Sequence, residues 1–268
     1  MNPVIDSYSR LASEYDDPRN IESCWGRVTE YAAGFVELKE WQRVVVDAGC
    51  GTGRELARAA SIASAGVRLI GVEPAANMRA LAASRTSRYP NVEILDGSFE
   101  ALPLETGSVD YLYSLLAFHW TTDLDKSISE MARALKRGGE MDLAFIGRNN
   151  GREFIRQTTP VFFKYLTPRL VLEAASRRKQ LTVEQARALF EKVFDARCLR
   201  VTESYHTYHD TLEGHWGWWV RIEGQFVDMP RDVRAHCDKA VKEALAELET
   251  DEGIPYTVHL LHVSLRKD

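Results

Sequence analysis

The run Val45-Val46-Asp47-Ala48-Gly49-Cys50-Gly51-Thr52-Gly53 decides the architecture. Valines are stiff at χ1 and favour an extended backbone. With Arg43 and Val44 ahead of them they predict a short strand over 43–47, apolar enough to be buried on both faces. Three glycines at alternate positions then turn the chain. Glycine reaches positive φ without a Cβ clash and lets a ligand approach the backbone closely. Helix formers follow over 54–65. Strand, glycine turn and helix in that order open a parallel βαβ array. The spacing is G-x-G-x-G. A dinucleotide fingerprint places its third glycine one residue later, where Arg54 stands, and a Walker loop ends in Gly-Lys-Ser/Thr. Neither pattern is present.

Outward from the turn the alternation continues. Strands are expected over 67–72, 91–95, 109–116 and 141–146, with helices over 75–88 and 123–136, the second capped by Asp123 and stopped at Gly138-Gly139. Before the turn the first 40 residues read as helical, with apolar positions at Trp25, Val28, Tyr31, Ala32 and Phe35 marking one helix over 21–38. After it, 151–194 reads as helices broken at Pro160 and Pro168, and Thr182 and Gln185 have the spacing of a capping box. A strand over 196–208, helices over 211–223 and 230–249, and an alternating strand over 255–265 complete the chain.

Composition narrows the classes. The chain has 268 residues with 34 Lys and Arg against 39 Asp and Glu, a net charge of −5. Mild acidity argues against a nucleic-acid partner. No apolar run approaches the roughly 20 residues of a membrane helix, and the N-terminus lacks the basic-then-apolar pattern of a secretory signal. Cys24, Cys50, Cys198 and Cys237 are far apart and form no C-x-x-C pair, as expected of reduced thiols in a cytoplasmic protein. No metal site is expected: His206 and His209 are three apart in a strand-like stretch without a cysteine partner.

The turn resembles motif I of the class I S-adenosyl-L-methionine (SAM) methyltransferases. Four further stretches have that family's order and spacing: Glu73 closing the second strand, Asp96-Gly97-Ser98-Phe99 after the third, Leu102-Pro103-Leu104 before Ser108-Val109-Asp110, and Ala134-Leu135-Lys136-Arg137-Gly138-Gly139. Arg137 replaces the family's usual proline. The resemblance covers about 43–147. It implies a Rossmann-like, doubly wound, mostly parallel seven-stranded sheet with an antiparallel last strand and a helical cap. It also implies one methyltransferase domain over 1–268: a cap over 1–42, a SAM-binding core over 43–147, a helical lid over 148–195, and 196–268 completing the sheet.

The resemblance further implies roles. Asp47, Gly49, Gly51 and Gly53 would sit at the methionine part and ribose, and Glu73 would take both ribose hydroxyls, with Pro74 following it. Asp96 would accept from the adenine amino group, with Gly97, Ser98 and Phe99 along the ring. Met78 is either an adenine contact or core. Tyr15, in a Tyr-Asp stretch, would lie over the cofactor, and Leu115 would contact it from the end of the fourth strand. Arg27 either reaches the methionine carboxylate or lies on a solvated face.

For the acceptor, the informative stretch is Ser114-Leu115-Leu116-Ala117-Phe118-His119-Trp120, at the carboxyl end of a central strand, where open α/β sheets bind ligands. His119 is a base, a substrate-orienting group or packing, and Trp120 a pocket wall or packing. The His-Trp pair resembles the trans-aconitate and malonyl-acyl-carrier-protein methyltransferase families, which implies a small or carrier-bound carboxylate. Transfer to a hydroxyl, amine or carbon, and SAM binding without transfer, stay open alternatives. Trp216, Trp219 and Arg221 either line a substrate cavity with a cation for an acid or fasten the cap. Arg177-Arg178-Lys179 reads as a solvated helix end or a dock for an acidic carrier. The sequence leaves monomer and homodimer equally open.

Overall fold

The computed structural model describes residues 3–64, 66–227 and 229–268. Four short helices come first: α1 (Pro3–Arg10), α2 (Ala12–Tyr15), α3 (Pro18–Glu22) and α4 (Cys24–Ala33). The helix expected over 21–38 is therefore shorter. Ser23 is extended, ends α3, and accepts from the Trp25 amide at 3.2 Å to cap α4.

The core follows as β1 (Val44–Ala48), α5 (Arg54–Ile62), β2 (Arg68–Val72), α6 (Ala76–Thr86), β3 (Val92–Leu95), β4 (Val109–Leu115), α7 (Leu124–Ala134) and β5 (Leu135–Ile146). Helix α5 ends three residues before the expected limit, and residue 65 lies outside the described residues. Next come α8 (Arg152–Tyr165), α9 (Pro168–Ser176) and α10 (Val183–Phe190), then β6 (Leu199–Asp210), α11 (Leu212–Arg221), α12 (Arg231–Ala246) and β7 (Ile254–Arg266).

The seven strands form one sheet in the order β3-β2-β1-β4-β5-β7-β6. The first five are parallel, and β7 runs antiparallel to both neighbours. Strand order reverses between β1 and β4, which opens a crevice at their carboxyl ends. Alternation along β1 sets which residues reach it. Val46 and Ala48 join the core under α7 and α10, with Ile128, Met131 and Phe190. Val45 packs on the other face with Leu56 and Ala59 of α5 and with Tyr111 and Tyr113 of β4. Asp47 shares that second face by the period of two.

Two expected boundaries are corrected. Helix α7 ends at Ala134, and the Leu135-Lys136-Arg137-Gly138-Gly139 run already belongs to β5. A register irregularity opposite Val109 and Tyr111 absorbs the extra residues, with Gly138 at φ 76°. Pro160 does not break α8. It lies inside the helix on its exposed side, where water can satisfy the carbonyl it leaves without a donor. The capping box at Thr182 and Gln185 forms, with Oγ1 accepting at 3.2 Å and Gln185 Oε1 at 3.1 Å.

Candidate active site

Gly49, Gly51 and Gly53 all have positive φ, at 78°, 55° and 72°. The Gly49 and Cys50 amides donate to the Val72 carbonyl at 2.8 and 3.1 Å, which closes the turn against β2. A Cβ at Gly49 would lie 2.5 Å from that of Ala117, and one at Gly53 would lie 2.9 Å from Ala82. A Cβ at Gly51 would meet nothing within 4 Å. Gly49 and Gly53 are thus close backbone approaches within the protein. Gly51 leaves its open side to the crevice.

On the β2 side of the turn lies a cavity of ≈ 120 Å³, lined by Gly49 and Gly51 and by Glu73, Pro74, Met78 and Phe99, among others. The buried Glu73 carboxylate accepts from the Gly51 amide at 3.1 Å and the Ala75 amide at 2.8 Å. Burial raises its pKa and those two amides oppose the rise. Gly97, Ser98 and Leu115 also line this cavity. Met78 is both things the sequence left open, a cavity wall and a core residue packed with Ala12 and Ala75. Asp96 is not brought to the cavity. Its side chain is 71% exposed and pairs with Arg79 at 3.0 Å.

Glu100 is a cavity residue that sequence reasoning missed. It accepts from Thr121 Oγ1 at 2.6 Å, the Thr122 amide at 2.6 Å and Thr122 Oγ1 at 2.8 Å, fastening the loop that follows Trp120. Burial works against the charge, yet these bonds bring its pKa down to about 2.

On the other side of the turn a cavity of ≈ 110 Å³ is lined by Asp47, Gly49, Gly51, Trp25, Thr29 and Trp218, among others. Asp47 is 3% exposed. Burial, with the charge of Glu55 next, pushes its pKa up to about 8. Tyr15 lines both cavities, and burial beside Asp16 raises its phenol to about 12, so it is neutral. Asp16 ties the N-terminal helices to the turn: Thr52 Oγ1 donates to it at 2.9 Å and Arg85 Nη2 at 2.7 Å. Arg27 is not part of this wall. It is exposed, donates to the His209 carbonyl at 3.0 Å and lies over Tyr208 of β6.

Leu116 joins the two sides, lining both cavities, and has φ 56°. A branched residue in the left-handed region stores about 1–2 kcal/mol. Beyond it opens an inner chamber lined by Tyr15, Thr29, His119, Trp120, Arg178 and Trp218, among others. His119 is buried. Its Nδ1 stands 3.5 Å from the Ile146 amide, a long contact that favours the tautomer with the ring proton on Nε2. Burial, with the charge of Arg178 second, holds its pKa well below the ordinary value, so the imidazole is neutral. The Arg178 guanidinium lies 4.8 Å over the Trp120 ring. Trp218 Nε1 is buried without a hydrogen-bond partner among the described residues.

The tryptophan cluster divides differently from expectation. Trp216 donates to the Asp238 carbonyl at 2.9 Å and Trp219 to Asp238 Oδ1 at 3.0 Å, so both fasten α11 to α12. Trp219 also walls an outer cavity. Arg221 donates to Asn20 Oδ1 at 2.9 Å and holds α11 to the N-terminal helices, away from the walls of the inner chamber. The residue that faces the chamber is Trp218, with Ile222 one turn on. Helical geometry carried that signal, because residues two apart differ by about 200° around the axis. Trp216 and Trp218 cannot share a face. Arg177, at the end of α9, and Arg178 are partly buried and line the outer cavity. Tyr205, His206 and Tyr208 lie on β6 against His259, Tyr31 and Arg27.

Residues 46–142 match the family described as a methyltransferase domain. Malonyl-[acyl-carrier protein] O-methyltransferase of Yersinia pestis is 33% identical over 136 residues, 51% of this chain and 47% of that one, so the chain spans about half the length of this relative. An uncharacterized methyltransferase of Geobacillus thermodenitrificans is 30% identical over 58% of this chain and 71% of its own length. In structure, phosphoethanolamine N-methyltransferase 2 of Haemonchus contortus, solved with S-adenosyl-L-methionine, aligns with a TM-score of 0.57 at 18% identity, covering all of this chain and 58% of that one. A crevice at the strand-order switch, a G-x-G-x-G turn and these relatives together define a class: the chain belongs to the class I methyltransferases. Its cofactor is S-adenosyl-L-methionine. Among the described residues no helix is long and apolar enough to cross a membrane, and no cluster of His, Cys, Asp or Glu could hold a metal.

Proposed function

We propose that the chain methylates a carboxylate oxygen of a small-molecule or carrier-bound acid, with the cofactor seated across the glycine turn. The residues fit that cofactor. Glu73 keeps lone pairs toward the cavity beyond the two amides it serves, suited to two ribose hydroxyls. Met78 and Phe99 offer an apolar slot for a flat ring, and Gly51 leaves room at the backbone. Asp47 is a buried carboxyl that a cation would ionise. The cofactor supplies a methyl group already activated by its sulfonium.

Asp47 gives the seating a pH signature. Its carboxyl, at about 8 in the free protein, is mostly protonated at pH 7 and destabilises the fold as pH rises from its unfolded value through 8. A bound cation lowers that pKa, so binding near pH 7 releases close to one proton, and near pH 9 almost none. Calorimetry in buffers of different ionisation enthalpy reads the difference. Asp47→Asn removes the release, and a proton count unchanged by that variant contradicts the assignment.

One observation carries the acceptor reading: among its described walls the inner chamber has no Asp or Glu, and its polar groups offer hydrogens. Arg178 is cationic, His119 keeps its proton on Nε2, and the Trp218 indole N–H is buried and unpaired among the described residues. Such a set suits an anion. An ionised carboxylate needs no base: its oxygen forms the new C–O bond, the S–CH3 bond breaks, and the electron pair goes to sulfur. Opposite charges disappear, so a dry aromatic chamber favours the step, and alignment supplies up to about 7 kcal/mol or more. Tyr15, Trp120 and Trp218 exclude water, and a neutral His119 orients.

Incubation with methyl-labelled cofactor and a panel of acids tests this. The expected product loses its label in mild base. Base-stable label on every product moves the acceptor to a hydroxyl, amine or carbon. His119→Ala is expected to change kcat by less than about tenfold, below the usual contribution of a general base. Arg178→Ala is expected to raise KM about tenfold or more, as loss of a charged hydrogen bond does.

A further inference from the structure

The inner chamber leads to a second space under the lid helices. This outer cavity measures ≈ 240 Å³, twice the ≈ 120 Å³ beside Glu73. Its neck is Trp120 and Arg178, which line both spaces. Its walls are largely apolar: Phe154 and Phe162 of α8, Leu166, Val171 of α9 and Trp219 of α11. No Asp or Glu stands among its described walls, and its charged side chains are Arg177 and Arg178.

Helix α9 adds an independent observation. It carries Leu170, Val171, Leu172, Ala174 and Ala175, yet none of its residues is buried. An apolar helix of that kind ordinarily buries a stripe against a core. Here Val171, Ala174 and Ala175 face the cavity instead. Hydrocarbon in that space would complete their burial. A second carboxylate there would lose water between the Phe154 and Phe162 rings, a cost that pairing with Arg177, the other cation of these walls, would have to offset.

We infer that the acceptor is an amphipathic monocarboxylic acid. Its carboxylate sits at the neck beside Arg178, and its apolar tail fills the outer cavity. The inference rests on the carboxylate reading above and narrows it: short dicarboxylates are poor ligands, and tail length sets affinity. The burial of each methylene strengthens binding by about threefold to fourfold.

Titration of the protein loaded with S-adenosyl-L-homocysteine separates the two claims, because no transfer is needed. The probes are butanoate, hexanoate, octanoate, decanoate and succinate, followed by tryptophan fluorescence. Kd is expected to fall about a hundredfold from butanoate to octanoate and then level off as the cavity fills. Succinate is expected to bind no better than butanoate. Ala174→Phe, which fills part of the cavity from a partly exposed wall position, is expected to flatten the series. A Kd independent of chain length in the wild-type protein, or succinate binding tightest, overturns the inference. A chain-length series followed by no base-labile label in the transfer assay overturns the carboxylate reading and leaves the tail cavity standing.

Discussion

Glu73→Ala lowers affinity for S-adenosyl-L-methionine by about 1–3 kcal/mol, roughly fivefold to 150-fold, in a calorimetric titration. The size follows from the position of the carboxylate. It is buried at the end of β2, and its charge is held there by the Gly51 and Ala75 amides. In the proposed seating, alanine removes a charged partner from two ribose hydroxyls. It also leaves those amides without their acceptor, which loosens the turn that shapes the cavity. Glu73→Gln separates the contributions: it can still accept from the Ala75 amide but has no charge, so it is expected to fall between wild type and alanine. Equal affinity in all three proteins would mean that the cofactor lies elsewhere.

Gly49→Ala acts on the same seat from below. The residue needs φ 78°, and its Cβ would stand 2.5 Å from the Cβ of Ala117. The left-handed conformation alone costs an L-residue about 1–2 kcal/mol. The overlap must also push apart the end of β1 and the loop after Leu116, which together form the wall between the cavities. Gly107→Ala supplies the control, with φ 63° and nothing within 4 Å of its Cβ. Gly107→Ala is expected to cost about 1–2 kcal/mol of stability with affinity unchanged. Gly49→Ala is expected to cost more and to lower affinity at least about tenfold. Combining it with Ala117→Gly should restore part of the affinity but not the φ penalty. Similar affinities for Gly49→Ala and Gly107→Ala would contradict the close approach.

Legibility differed by element for physical reasons. The strand–turn–helix unit around Gly49 was readable because valine stiffness, glycine φ and a two-residue period act locally. Seven strands with an antiparallel last one were implied by the family resemblance, whereas the order β3-β2-β1-β4-β5-β7-β6 depends on contacts between distant segments that no local pattern encodes. Helix limits were less readable where tertiary contacts override propensity. Ser23 divides the N-terminal helices, β5 begins at Leu135 before the glycines, and Pro160 stays inside α8 because it faces water.

In the site, the cavity places Gly49, Gly51, Glu73, Met78 and Phe99 together, as motif order had suggested. Asp96 and Arg27 are carried away by their partners Arg79 and His209. Position in a motif specifies where a Cα lies, not where a long or exposed side chain finds its partner. Leu116 carried no sequence signal, since nothing in its side chain marks a left-handed backbone. Arg178 was visible only as one of three consecutive cations. Its role depends on α9 folding back so that Lys179 N reaches the His119 carbonyl at 2.7 Å, a contact between segments 60 residues apart in the chain.

The central claim is that one crevice seats the cofactor and directs its reacting end toward the chamber of His119, Trp120 and Trp218. A crystal structure with S-adenosyl-L-homocysteine tests this most directly. The expected result is Glu73 bonded to both ribose hydroxyls, the adenine between Met78 and Phe99, and the sulfur facing the chamber past Leu116. A ribose held by other groups, or a sulfur turned away from His119 and Trp218, would contradict it.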